Sequence, residues 1–170
     1  GHDYNPNNNH LLVCNSQGGN FNRVVEFDHT GNYIGQFFPT NSGGLLDPFD
    51  VLVRTNDVLV TGSTSGFAHR YDHSGNYIDN FGNQLNFPQQ MVKFLNGNIG
   101  IATFGNYQGG LKIFDPTGNM VNNFNSVTGL RGVHYLGNGN ILVTNSAGVH
   151  EINGTTGDFI RTIAAGVSAQ

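Results

Sequence analysis

One turn signature returns four times at nearly even steps, and that recurrence constrains the fold more than any other feature of the chain. It reads Asp28-His29-Thr30-Gly31-Asn32, Asp72-His73-Ser74-Gly75-Asn76, Asp115-Pro116-Thr117-Gly118-Asn119 and Asn153-Gly154-Thr155-Thr156-Gly157-Asp158. The glycines at 31, 75, 118 and 157 lie 44, 43 and 39 residues apart. An Asx side chain followed by a residue free to take positive φ is hairpin chemistry. Short alternating runs lead into each turn: Val24 to Phe27, Phe67 to Tyr71, Leu111 to Phe114 and Val149 to Ile152. Aromatic or aliphatic runs lead out, ending at Phe38, Phe81, Phe124 and Ile163.

Each hairpin is preceded by another apolar run: Leu11 to Asn15, Val58 to Gly62, Ile99 to Thr103 and Ile141 to Asn145. Ahead of that lies a fourth short strand and a polar turn, as in Phe49 to Val53, Gln90 to Phe94 and Gly132 to Tyr135; Gly1 to Tyr4 fits the same slot. Four strands per period with no helical periodicity describe a small antiparallel sheet that cannot cover both of its faces alone. A period near 40 residues of this kind predicts an all-β, β-propeller architecture of four four-stranded blades, either four-bladed or half of a larger ring. The blades are expected near 1–38, 46–81, 87–124 and 130–163, in one domain spanning 1–170. Val13, Val60, Ile101 and Val143, with Leu12, Leu59 and Leu142, should form the core between blades.

Composition removes several function classes. Charged residues make up 11% of the chain, Asn numbers 25 and Gly 25, so polarity is carried by amides and turns. Seven basic residues against 11 acidic ones, with no basic cluster, leave little to neutralise phosphates, so nucleic acid is not an expected partner. No apolar run reaches the roughly 20 residues of a membrane helix, so no membrane span is expected. One cysteine excludes an internal disulfide and any cysteine-based zinc site. The low charge and the wealth of Asn, Gly, Ser and Thr suit an extracellular or cell-surface protein. Absence of Trp weakens a carbohydrate-stacking surface, although 6 Tyr and 13 Phe keep one open.

The stretch Leu46-Asp47-Pro48-Phe49-Asp50-Val51-Leu52-Val53, followed by Asn56-Asp57-Val58-Leu59-Val60-Thr61, Arg70-Tyr71-Asp72 and Gly75-Asn76-Tyr77-Ile78, resembles the NHL repeat. Asn22-Arg23-Val24-Val25-Glu26-Phe27-Asp28 is similar to the second half of that repeat. Gly132-Val133 with Gly139-Asn140-Ile141-Leu142-Val143-Thr144-Asn145-Ser146 is similar to the first. The third copy departs from it with Pro88-Gln89-Gln90 where Gly is usual, and the fourth has His150 in place of the Arg. The resemblance implies a propeller. It is consistent with extracellular lyases, lactonase-like enzymes, RNA-binding modules or plain scaffolds, so activity must be argued from the site.

Innermost strands of a propeller line its central channel, and aligning the copies puts Asp3, Leu52, Val92 and His134 in one slot. Gly1, Asp50, Gln90 and Gly132 fall in another. Asp3, Asp50, Gln90 and His134 are therefore the channel-facing ligand candidates. His134 with carboxylates suits a lyase or lactonase-like hydrolase that uses a bound divalent metal, which is the alternative reading. The preferred reading is a binding or scaffold module with no cofactor, because the acids and histidines fall mostly in turns. Its partner would be another protein or a second copy of the chain, with a small ligand or glycan possible. Cys14 shares a slot with Thr61, Ala102 and Thr144 and reads as a packed residue. His29 and His73 read as turn residues, and Asp28, Asp72 and Asp115 as Asx-turn acceptors. His10 and His69 show no partner at local spacing. Asn153-Gly154-Thr155 is an N-glycosylation sequon. The chain opens on an innermost strand and ends past an outermost one at Phe159 to Ile163. The tail Ala164 to Gln170 stands where a linker into another blade stood earlier. These two features predict a portion of a larger propeller or a homodimer of two halves.

Overall fold

The structure, a computed structural model, describes residues 1–16, 22–105 and 109–167; the last three residues of the tail, 168–170, lie outside it. Four antiparallel four-stranded sheets make up the described residues, with one short 3₁₀ turn at Ser42–Gly44. The first sheet holds β1 (His2–Asn5), β2 (His10–Asn15), β3 (Arg23–Phe27) and β4 (Tyr33–Gln36). The second holds β5 (Pro48–Val53), β6 (Val58–Gly62), β7 (Phe67–Tyr71) and β8 (Tyr77–Phe81). The third holds β9 (Pro88–Lys93), β10 (Ile99–Thr103), β11 (Gly110–Phe114) and β12 (Met120–Phe124). The fourth holds β13 (Gly132–Tyr135), β14 (Ile141–Asn145), β15 (Gly148–Ile152) and β16 (Phe159–Ala165). Strand order in every sheet follows chain order, so each strand pairs only with its sequence neighbours. The chain falls into two compact units, Gly1–Phe81 and Gly82–Gln170, each carrying two sheets.

The recurrent turns close the hairpins with their own side chains. Asp28 Oδ1 accepts from the N–H groups of Thr30 and Asn32 at 2.8 and 2.9 Å, while Oδ2 accepts from Asn32 Nδ2 at 3.0 Å. Asp72 repeats this with Ser74 and Asn76, and Asp115 with Thr117 and Asn119. Gly31, Gly75 and Gly118 take φ of 87°, 81° and 100°, a left-handed backbone that a Cβ disfavours. In the fourth copy Asn153 Oδ1 accepts from Thr155 and Thr156, and Asn153 N–H donates to the carbonyl of Asp158, which makes the loop one residue longer. A bulge sits at the same place in all four hairpins, at Glu26/Phe27, Arg70/Tyr71, Ile113/Phe114 and Glu151/Ile152.

Each unit has its own core. In the first, Leu12, Val24, Phe37 and Phe38 of one sheet meet Val51, Val58, Val60 and Tyr71 of the next, with Phe38 and Tyr71 stacked 4.2 Å apart. In the second, Ala102, Leu111, Ile113 and Phe124 meet Val133, Ile141, Val143 and Ile152. Burying each of the valine, leucine, isoleucine and phenylalanine side chains contributes roughly 1.5–3 kcal/mol. Leu12, Leu59, Val60, Ile101 and Val143 are fully buried as expected, whereas Val13 and Leu142 are only half-buried. Those two lie on the faces of the first and fourth sheets that look away from their partner sheet within the unit.

Candidate functional site

Within each unit the first strands of the two sheets lie side by side, β1 with β5 and β9 with β13. Pairing with the second strands fixes their register. Asp3 stands opposite Leu12, Leu52 opposite Leu59, Val92 opposite Gly100 and His134 opposite Leu142, so the four occupy one slot. Asp50 stands opposite Thr61 and Gly132 opposite Thr144, and both donate their N–H to the facing threonine hydroxyl, at 3.0 and 2.9 Å. Gln90 directly precedes Met91, which faces Ile101.

The polar side chains on these strands are used to tie strand to strand. Asp3 Oδ2 accepts the N–H of Val53 at 2.7 Å, from β1 across to β5, and its Oδ1 accepts the N–H of Tyr4 at 2.8 Å. Gln90 Oε1 accepts the N–H of Val133 at 3.0 Å, from β9 across to β13. Asp50 is buried, and its carboxylate stands where a Cβ on Gly1 would be. The Gly1 ammonium donates to the carbonyl of Phe49. His134 is exposed and enters no hydrogen bond or ion pair among the described residues. Asp3 is thus brought to Val53 and Gln90 to Val133. The signal in the sequence was available in principle: an edge strand has unpaired N–H groups, and an acceptor in the neighbouring slot caps one.

Several of the other titratable residues have structural partners. Burial pushes the Cys14 thiol up to about 12 against an opposing pull from the Gly1 ammonium, which makes it a poor nucleophile packed against the first core. His10 Nδ1 hydrogen-bonds Glu26 Oε1 at 2.8 Å, and His69 Nε2 meets Ser65 Oγ at 2.8 Å, so His69 does have a local partner, four residues back. His73 Nε2 reaches the carbonyl of Thr55, and His29 is an exposed turn residue. Asn153 is half-buried, its side chain committed to the turn. Among the described residues no three His, Cys, Asp or Glu side chains gather as metal ligands would. Sequence reasoning passed over Lys112, which is 9% exposed and borders a cavity.

No family model matches the chain, and no curated protein matches its sequence. Solved structures do match. Hydrazine synthase of Kuenenia stuttgartiensis aligns over 99% of this chain and 49% of its own, with TM-score 0.78 and 16% identity. The WD40 β-propeller domain of Doa1 aligns over 95% of this chain and 53% of its own, with TM-score 0.69 and 12% identity. This chain is a β-propeller. A streptogramin B lyase structure aligns over 94% of this chain and 52% of its own, with TM-score 0.63 and 13% identity. At such identities the likeness concerns the propeller fold alone. The chain spans about half the length of these three structures. Its four sheets are blades, and Asp3 and Gln90 are latches between neighbouring blades.

Proposed function

We propose that the chain is a propeller-type binding or scaffold module of NHL-like repeats, acting outside the cell and pairing with a second copy of itself. One observation carries the pairing. Val58, Val60 and Tyr71 of the second blade are fully buried, while their register equivalents in the first blade, Leu11, Val13 and Phe27, are only half-buried. Together with Tyr4 they line an apolar cavity of about 510 Å³. Open apolar patches of this kind mark interaction surfaces.

The occupant follows from the slots. In the first unit the second blade is covered by Leu12, Cys14 and Val24 of the first. The register equivalents in the fourth blade are Leu142, Thr144 and Val149, which are half-buried, and Ile163 beyond them is 48% exposed. The fourth blade of a second copy therefore offers the first blade what the first blade offers the second. Two-fold symmetry makes that joint twice. Two chains would also match the length of the solved propellers that one chain half covers.

The NHL-like reading rests on the Asn-Arg-apolar-Phe-Asp and Gly-Asn-apolar motifs, and the extracellular reading on the low charge and the Asn153 sequon. The metal-dependent lyase or hydrolase reading has less support, because Asp3 and Gln90 are held by main-chain N–H groups. Native mass spectrometry and light scattering test the pairing. The expected particle has twice the 18.3 kDa chain mass, and Val13→Glu should return it to one chain mass while β-sheet circular dichroism is retained. A well-behaved monomer of the unaltered chain overturns the proposal. Expression through a secretory host followed by mass analysis of the Asn153 peptide tests the location, with a glycan as the expected result.

A further inference from the structure

The third strands of the four blades carry Val25, His69, Lys112 and His150 in one register slot, opposite Val13, Val60, Ile101 and Val143. The two histidines there each hydrogen-bond a neighbour within their own blade, His69 through Nε2 alone. His69 bonds Ser65, with the Ser42–Gly44 turn close by, where Tyr71 donates to the Ser42 carbonyl at 2.8 Å. His150 engages Thr162 Oγ1 and Asn145 Oδ1 at 3.1 and 2.9 Å, using both ring nitrogens. Lys112 differs. Its Nζ has three protons and donates to Asn123 Oδ1 at 2.6 Å, and no carboxylate pairs with it among the described residues. The chain entering this blade, residues 83–86, forms no 3₁₀ turn, and a cavity of about 430 Å³ remains there.

Lys112 sits at that cavity with Asn83, Gln84, Asn86, Asn123 and Asn125, beside the exposed side chain of Met120. A buried ammonium lacking a counter-ion costs free energy that an anion would recover. Five amides, each both donor and acceptor, suit hydroxyl groups rather than a bare ion, and the exposed Met120 side chain offers an apolar contact for the C–H face of a sugar ring. We propose that this cavity binds a hexuronate-class acidic monosaccharide, its carboxylate on Lys112 Nζ and its hydroxyls on the surrounding amides. Consistent with this, burial holds the Lys112 ammonium below its ordinary range. The site lies wholly within the second unit, so the proposal does not rest on self-pairing.

Isothermal titration of the purified protein with glucuronate, galacturonate, glucose and inorganic phosphate tests it. Saturable binding of at least one uronate is expected, weakened at least tenfold by Lys112→Met and at least tenfold tighter than that of glucose. Failure of both uronates to bind overturns the proposal, as does glucose binding equally well or phosphate binding more tightly. If Lys112→Met does not fold, Asn125→Ala is titrated instead, with the same tenfold loss expected. The chain has two lysines, Lys93 and Lys112, so carbon-13 lysine labelling separates their side-chain signals. Glucuronate should move the Lys112 signal and leave that of Lys93 in place; the reverse, or no movement, overturns the assignment.

Discussion

Gln90 Oε1 accepts the main-chain N–H of Val133 at 3.0 Å, so a side chain of one blade completes the hydrogen bonding of the next blade's edge strand. Its counterpart in the first unit, Asp3 with Val53 at 2.7 Å, performs the same task with a carboxylate. Gln90→Leu keeps the bulk and removes the acceptor, leaving the Val133 N–H without a protein partner. A loss of about 1–3 kcal/mol in urea unfolding is expected, the range for an unsatisfied backbone donor. Gln90→Glu retains an acceptor and should lose less. Equal unfolding midpoints for Gln90→Leu and the parent would remove the latch.

Val60 has no exposed surface and sits in the first unit's core. Val60→Ala should cost about 2 kcal/mol, from lost transfer energy plus a small cavity. Val60→Asp buries a charge with no partner and should cost more than about 4 kcal/mol. Thermal melting of the two variants side by side separates these outcomes, and a near-parental melt for the aspartate variant would place Val60 outside the core.

Acid should weaken the fold in two stages. Burial lowers the His69 pKa from 6.5 to about 4, so the unfolded chain binds this proton first as pH falls. The stability held by neutral His69 is complete above pH 6.5 and drains between 6.5 and about 4. The carboxyls of Asp28, Asp72 and Asp115 are held below their ordinary range by the asparagine, threonine and serine groups of their own turns. Their contribution is present above the unfolded carboxylate pKa, about 4, and is lost as pH drops through the lower folded values. Denaturant midpoints from pH 8 downward for the parent and His69→Gln check the first stage, which the variant should lack while keeping the second.

Two glycines of the same turn slot should respond differently to alanine. A Cβ on Gly31 meets nothing within 4 Å, whereas one on Gly75 would stand 2.0 Å from the carbonyl oxygen of Phe37. Gly31→Ala should cost about 1 kcal/mol for its left-handed backbone alone. Gly75→Ala adds a clash with the preceding blade's exit strand and should unfold at clearly lower denaturant. Matching midpoints would contradict the packing of Phe37 against that turn.

The propeller was legible because its signals are local and repeated. An Asp, a Ser or Thr, a Gly and an Asn at fixed offsets specify a self-closing turn in three copies, and β-branched runs such as Val58-Leu59-Val60 specify strands covered on both faces. Burial at Val13 and Leu142 was not legible, since it depends on which blade face has a neighbour rather than on the residue itself. Asp3 and Gln90 were placed on the right strands, but a carboxylate or amide looks the same in sequence whether it holds a ligand or a backbone N–H. Lys112 escaped notice for a related reason: it interrupts an otherwise apolar strand, Gly110–Phe114, and only the chain folded past it at 83–86 leaves the cavity at its end.

Because every strand pairs with the one made just before or after it, assembly can follow the order of synthesis. The first blade has all its strand partners once Gln36 has left the ribosome. Its Leu12 and Val24 stay wet until Val58 and Val60 have been added, some twenty residues later. Within the first unit the face carrying Leu12 and Val24 therefore waits uncovered for that interval, while the opposite face, with Leu11, Val13 and Phe27, stays open after the unit is complete. A translational pause is most hazardous after a sheet is complete and before the central strand of the next has emerged.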